Sequence, residues 1–256
     1  MRFVILNYHI FKNAGMSVEE ILDRNFGERL ARFDGADRNA RIDNRSLLDF
    51  LVRRGHIEAF SSHQIRYPLP AAPGFLFFDV CFLRDPLDRI RSMYDYARVK
   101  PLEGDPLSEM ALNMDLRSFV ERVLSEMPDW ICEMQTGFLA GDEYSREAQL
   151  EQATRTMLQC SFVGIVDRFA ESIAAGEYFL RPVFAGFRCA SAEVNVSSGL
   201  ESTLEKRKQR LREACGDRLY EELVRRNAMD LELVERARVE VDRRFSRSSS
   251  RYAGFQ

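Results

Sequence analysis

The sequence has little that would staple, span or ligate. Its five cysteines, Cys81, Cys132, Cys160, Cys189 and Cys215, stand singly along 256 residues. With no C-x-x-C pair and no histidine at ligand spacing, neither a disulfide framework nor a metal site is expected. Cys81 lies in an apolar run and reads as a small buried hydrophobe. The longest apolar stretch, FLFFDVCFL at 75–83, is too short to cross a bilayer and carries Asp79. Charge of one sign is also missing: 37 Lys and Arg face 40 Asp and Glu, for a net charge of −3. The molecule as a whole has no field to gather nucleic acid or an acidic membrane, so any anion site must be local. One Arg and a short apolar run lead directly into His9 and Lys12, without the apolar core or cleavage site of a secretory signal. The expectation is a soluble, cytoplasmic protein without a nucleic-acid partner or a stable membrane anchor. Oligomeric state is not legible.

What is present is an alternation of apolar runs and helical patterns, without an internal repeat. Phe3 to Ile10 favours a strand, and Ser17 is suited to cap a helix over VEEILDRNFGERL, with Glu19 and Glu20 in its first turn, where the helix dipole favours carboxylates. Ser46 to Arg54 reads as an amphipathic helix closed by Gly55, and Ile57 to Ser62 as a strand arriving at His63. The Pro-rich segment 67–74 is a turn region. Phe75 to Leu83 has the pattern of a strand buried on both faces of a parallel sheet. Arg84-Asp85-Pro86 follows, with Pro86 suited to the first turn of a helix over LDRIRSMYDYARV. Arg89 and Arg91 on that helix read as surface ion-pair partners.

Beyond residue 100, 101–150 reads as helices with loops, Ser161 to Val166 as a strand and Asp167 to Phe179 as a helix. Glu193 to Ser197 reads as a short β-like run. Leu204 to Phe245 is a long charged helical stretch broken at Gly216, and the Ser/Arg-rich tail 246–256 reads as frayed. The length suits one domain of α/β class with a mostly parallel sheet, whose ligands sit beyond the carboxyl ends of the strands. Lys12, His63 and Arg84 each fall at such an end.

HIFKNAGMS, from His9 to Ser17, places a lysine and a glycine between a strand and a helix. Backbone N–H groups at that junction favour an anion, Gly15 permits close approach and Lys12 adds a positive charge. Lys12 precedes the only glycine, so the G-x-x-x-x-G-K-[ST] pattern of ATP-binding loops is absent and an ordinary kinase or NTPase is disfavoured. This segment resembles the H-I-P-K-[TN]-A-G-[TS]-S loop of the sulfotransferases that use 3′-phosphoadenosine 5′-phosphosulfate (PAPS), in particular the carbohydrate branch related to heparan 2-O-sulfotransferase. Leu83 to Ser92, LRDPLDRIRS, resembles that family's L-R-D-P-x-x-R-x-x-S element. Gln135-Thr136 to Leu139-Ala140-Gly141, Phe162-Val163-Gly164 to Arg168-Phe169 and Asn195-Val196-Ser197 resemble further family segments. Phe11, Met16, Ser62 and Gly137 depart from it, standing where the family has Pro, a hydroxyl residue, Gly and Arg.

The resemblance implies one sulfotransferase domain over 1–256, with a P-loop-like three-layer fold and a helical acceptor side at about 99–150. It implies that Lys12, Asn13, Ala14, Gly15, Met16 and Ser17 wrap the 5′-phosphosulfate, and that Arg84 and Ser92 hold the 3′-phosphate. Transfer to a hydroxyl needs a base, and histidine suits that role near neutral pH. His9 reads as a structural neighbour of the loop and His56 as exposed in a turn. His63 precedes Arg84 by about the family's interval between base and R-D-P. The expected chemistry is in-line transfer to a sugar or small-molecule hydroxyl, with His63 and Lys12 catalytic, 3′,5′-diphosphoadenosine leaving and no metal required. Trp130 and nearby Met and Phe residues suit an acceptor pocket, but at helical spacing such residues are more often core. A Mg²⁺-dependent phosphotransferase and an inactive nucleotide-binding module are the competing readings.

Overall fold

β1 (Arg2–Tyr8) is the centre of the molecule's sheet, and its residues Val4, Ile5 and Leu6 are fully buried. The computed structural model describes residues 1–35, 40–141, 143–189 and 203–252, with side chains to residue 246. Around β1 lie β2 (Leu30–Arg32), β3 (Ala59–Ser62), β4 (Phe75–Leu83) and β5 (Phe162–Ile165), all parallel, in the order β2-β3-β1-β4-β5. Helices flank the sheet, giving the three-layer α/β fold. α1 (Gly15–Phe26) carries the chain from β1 towards β2, whereas β4 lies on the other side of β1. Connections that diverge in this way open a crevice beyond the carboxyl ends of the two strands, where such sheets bind ligands.

The remaining helices are α2 (Asn44–Arg53), α3 (Pro86–Val99), α4 (Pro106–Asn113), α5 (Leu116–Glu126), α6 (Met134–Ala140), α7 (Arg146–Gln159), α8 (Phe169–Leu180), α9 (Leu204–Cys215), α10 (Asp217–Arg226) and α11 (Ala228–Tyr252). The described chain divides into two compact units. The first comprises Met1–Leu83, Gly137–Asn195 and Glu235–Gln256 and contains the whole sheet; the second comprises Arg84–Thr136 and Val196–Val234 and is helical. Its helices α3, α4, α5, α9 and α10 pack on one another.

In the first unit the core joins Val18, Ile21 and Leu22 of α1 to Ile5, Val80, Phe82, Phe162 and Ile173. Each such side chain removed from water contributes about 1.5–3 kcal/mol. Phe82 lies so close to Gly164 that a Cβ there would stand 2.4 Å from its ring. The glycine of the FVG segment is therefore required by packing.

Several elements differ from the sequence reading. α1 begins at Gly15, so Ser17 lies inside its first turn rather than capping it, and Glu19 and Glu20 fall one turn further on. Gly27, at φ 52°, ends α1 early, and Leu30–Arg32 pairs with β3 as an edge strand too short to announce itself in a pattern. β4 is buried from Asp79 onward, while its first four residues are partly exposed. The charged C-terminal stretch breaks at Asn227 as well as at Gly216, and α11 continues through the Ser/Arg-rich segment to Tyr252. The β-like run at 193–197, with its Asn195-Val196-Ser197 match, lies outside the described residues, as do 253–256. Among the described residues no helix is long and apolar enough to cross a membrane.

Candidate active site

The loop after β1 is held in an unusual path by its own backbone. Lys12 and Ala14 both take left-handed conformations, with φ of 66° and 60°, and such alternations turn successive N–H groups to one side and form anion-binding concavities. Asn13 is buried and its amide donates to the Phe82 carbonyl at 2.8 Å, tying the loop to the end of β4. Ala14 then stands at the head of α1 with no side-chain capping bond, and no acidic residue occupies the first turn. By contrast Asp43, Asp85, Asp105, Asp115 and Thr203 cap α2, α3, α4, α5 and α9. The positive end of α1 thus has neither a side-chain cap nor a carboxylate in its own first turn. Lys12 lies over the Phe11 ring, 5.9 Å from its centre. Met16 is exposed, whereas Ser17 is buried.

Parallel register brings two histidines together here. Tyr8 and Ser62 are partners across β1 and β3, and the residues that follow them are His9 and His63. The His9 N–H donates to the Ser62 carbonyl at 3.1 Å, and the two imidazoles lie face to face with centroids 3.7 Å apart and a 36° tilt. His63 Nδ1 is 2.7 Å from the His9 carbonyl oxygen. A carbonyl only accepts, so Nδ1 carries the proton and the neutral ring keeps its lone pair at Nε2. Burial pushes the His63 pKa below its ordinary value and His9 pushes it the same way, against the pull of Asp34 and Glu19. At neutral pH His63 is therefore uncharged, with a basic nitrogen.

The surroundings of His63 are well defined. Asp34 Oδ1 accepts from both the His63 N–H and the Ser62 hydroxyl, at 2.8 Å each, and Ser62 Oγ accepts from the Gln64 N–H. Ser62, where the family has Gly, thus anchors the turn that carries the base candidate. Arg66 donates to the His63 carbonyl and lies over the Phe138 ring. His56 is exposed, as its turn position suggests. Cys81 is buried and burial pushes its thiol pKa far up, which leaves it without nucleophilic character.

In the second unit Arg84 opens the segment leading into α3. Its backbone is gripped by Gln135, whose Oε1 accepts from the Arg84 N–H and whose amide donates to the Arg84 carbonyl, at 2.9 and 2.8 Å. Gln135 and Thr136 are fixed in turn by Asp230, a fully buried carboxylate that accepts from both backbone N–H groups and both side chains. The Gln135-Thr136 match thereby acquires a role, whereas Asp230 carries no local sequence signal. The Arg84 Nε donates to Asp88, which also receives Arg207; all three side chains are buried. Ser92 is half-buried one turn beyond Asp88. Arg91 pairs with Asp95 at the surface as expected, but Arg89 does not. It is fully buried and donates to the Trp130 carbonyl and to Met134, because α3 presents that position to the interior of the helical unit.

Among the described residues no group of three or more His, Cys, Asp or Glu is placed to hold a metal ion. No family model matches the chain. It is similar to an uncharacterized protein of Archaeoglobus fulgidus (strain ATCC 49558 / DSM 4304 / JCM 9628 / NBRC 100126 / VC-16), with 27% identity over 242 residues, covering 92% of this chain and 96% of that protein.

Proposed function

We propose that this protein is a PAPS-dependent O-sulfotransferase of the cytoplasm, acting on a hydroxyl of a carbohydrate or small natural product. The observation that carries the reading is an imidazole with its Nδ1 proton fixed on the His9 carbonyl, beside a left-handed loop that leads into an uncapped helix N-terminus. The resemblance of that loop and of the Arg84 segment to the sulfotransferase motifs supplies the donor class. The loop fits the donor's anionic end: its N–H groups and the start of α1 favour negative charge, and Lys12 adds a cation. When bound, PAPS would supply an activated sulfuryl group and leave as 3′,5′-diphosphoadenosine.

In this scheme the chain's own residues orient, neutralise and accept a proton. His63 Nε2 takes the proton of the acceptor hydroxyl as its oxygen becomes nucleophilic. Lys12 and the N–H groups of Ala14, Gly15 and Met16 stabilise negative charge growing on the leaving side, while the Asn13 and Ser17 N–H groups donate to the Ile10 and Ala14 carbonyls. Arg84 and Ser92 are assigned to the 3′-phosphate by the resemblance, and Gln135 and Asp88 hold Arg84 for it. A Mg²⁺-dependent phosphotransferase would need acidic metal ligands in these motifs, which the sequence does not supply.

The first test is thermal stabilisation by 3′,5′-diphosphoadenosine compared with ADP, since a ligand that binds only the folded state raises the melting temperature. Selective stabilisation by the 3′-phosphorylated nucleotide, diminished in Ser92→Ala and Arg84→Lys, is the expected result. Equal stabilisation by both nucleotides, or none, would reject the donor class.

The pH dependence of turnover is a second expectation. A base must be neutral to accept a proton, and burial lowers the His63 pKa. The acid limb of the rate profile is therefore expected below pH 6.5, the ordinary value of histidine, with a plateau through neutrality. For stability the sign is the same: a depressed pKa leaves the fold unpenalised above 6.5, and stability is lost as pH falls through the folded-state value. A limb centred above 6.5 would assign the proton transfer to another group.

A further inference from the structure

His9 is held on three sides. A Cβ at residue 15 would lie 1.8 Å from His9 Nε2 and Cδ2, so the imidazole rests directly on the glycine backbone at the head of α1. Gly15 is therefore needed to seat a ring, beyond any approach to phosphate. On one edge His9 Nδ1 is 3.0 Å from Glu19 Oε1, and on its face lies His63. The same Glu19 oxygen accepts from the Ser61 hydroxyl at 2.6 Å, and Ser61 Oγ accepts from Asn7 at 2.9 Å. Arg32 Nε is 3.6 Å from the other carboxylate oxygen.

We infer that Glu19 is a positioning residue for His63, acting through His9: its carboxylate fixes the ring and tautomer of His9, and the ring and carbonyl of His9 fix His63. The inference rests on the reading of His63 as the base. A carboxylate is an acceptor only, so His9 Nδ1 must donate to it. Burial raises the Glu19 pKa, but the hydrogen bonds from His9 and Ser61 outweigh it and hold the group below its ordinary value, hence ionised at neutral pH. The negative charge lies beside the stacked imidazoles, where together with Asp34 it favours a proton gained by His63. Among the described residues, charged groups around the stack include Asp34 at the His63 N–H, Arg66 at the His63 carbonyl and Arg32 at Glu19. Asp34 and Glu19 both oppose the downward shift of His63.

The test is histidine ¹⁵N NMR on the full chain, whose three histidines are resolvable, comparing wild type, Glu19→Gln and Ser61→Ala. In wild type at pH 7.5 both His9 and His63 should carry their proton on Nδ1. Glu19→Gln keeps the shape and removes the charge. The fixed Nδ1–H preference of His9 should be lost, the Nδ1–H signal of His63 should weaken, and the His63 titration midpoint should move down. Ser61→Ala removes a hydrogen bond from the same oxygen but leaves the charge, and should change these signals little.

Unchanged tautomers and midpoint in a folded Glu19→Gln would overturn the inference, as would Ser61→Ala reproducing the full effect. If Glu19→Gln does not fold, an Nε2–H tautomer of His9 in wild type decides against it, and Nδ1–H supports it. These signals need no sulfate donor. Stabilisation by 3′,5′-diphosphoadenosine, measured on the same samples, reports separately on the donor class, and its failure would remove the sulfotransferase reading while leaving the Glu19–His9–His63 arrangement tested on its own terms.

Discussion

His63→Ala is expected to lower turnover about 10²–10⁴-fold, the usual worth of a positioned general base, with the affinity for 3′,5′-diphosphoadenosine nearly unchanged. The expectation follows from where the side chain is held. Its Nδ1 is committed to the His9 carbonyl, its face to the His9 ring and its backbone N–H to Asp34. What remains for chemistry is Nε2, in a ring that burial keeps neutral. Removing the imidazole deletes the candidate base and leaves the backbone of the loop and of the first turn of α1 in the chain, so the loss should fall on turnover rather than on nucleotide binding. His63→Asn should not rescue, because an amide cannot accept the proton. Turnover within a few-fold of wild type in His63→Ala would exclude His63 as the base and leave His9 as the next imidazole to test.

Asp88→Ala is expected to destabilise the protein by about 3–5 kcal/mol, the range for removing one partner of a buried ion pair. Here two guanidinium groups lose the carboxylate. The carboxylate, 2% exposed, takes Arg84 Nε at 2.8 Å and Arg207 Nε at 2.7 Å. Arg207 also reaches its second oxygen at 3.2 Å. Burial raises the Asp88 pKa, but Arg84 and Arg207 more than offset this and hold it below its ordinary value. A carboxyl depressed in the folded state stabilises above its unfolded pKa and loses that contribution as pH falls through the folded value. The difference between variant and wild type should therefore be complete at neutral pH and shrink under acid, below about pH 4. In a thermal scan it corresponds to roughly 10 °C. A loss under about 1 kcal/mol at pH 7 would mean that the two guanidinium groups find other counter-charges, and that Asp88 does not hold Arg84.

The two variants probe parts of the chain that differ in how far the sequence announced them. Strand, loop and helix from Phe3 to Phe26 follow from an apolar run, a Lys-Asn-Ala-Gly turn and an amphipathic pattern, and the structure has them in that order. Pro86 in the first turn of α3 is legible in the same way, from the backbone angle its ring imposes. Such features are legible because the chemistry that makes them is contained in a few neighbouring residues. The exact start of α1 was not, since Ala14 in a left-handed conformation carries no side-chain signal, whereas Ser17 carries a misleading one. β2 was hidden for a different reason: three residues are too few to show a period, and pairing with β3 decides them.

The residues around the candidate base divide in the same way. His63 and Lys12 could be singled out because each stands where a strand ends. His9 read as a neighbour of the loop, and nothing in a linear sequence shows that its ring lies against a histidine 54 positions away. Register decides that, because Tyr8 and Ser62 are partners and the next residue on each strand continues the alignment. The placement of Glu19 against His9, of Asp230 against Gln135 and of Arg207 against Asp88 likewise joins side chains that no local pattern links. By itself the sequence determined the α/β alternation, the strand-end positions of the candidate site side chains and the place of Pro86 in the first turn of α3, because these depend on short-range periodicity and on the backbone of neighbouring residues. Tertiary structure alone decided the stacked histidine pair, the division into two units and the burial of Arg89, because each depends on which distant segments share a surface and on the cost of leaving charge or polarity there unpaired.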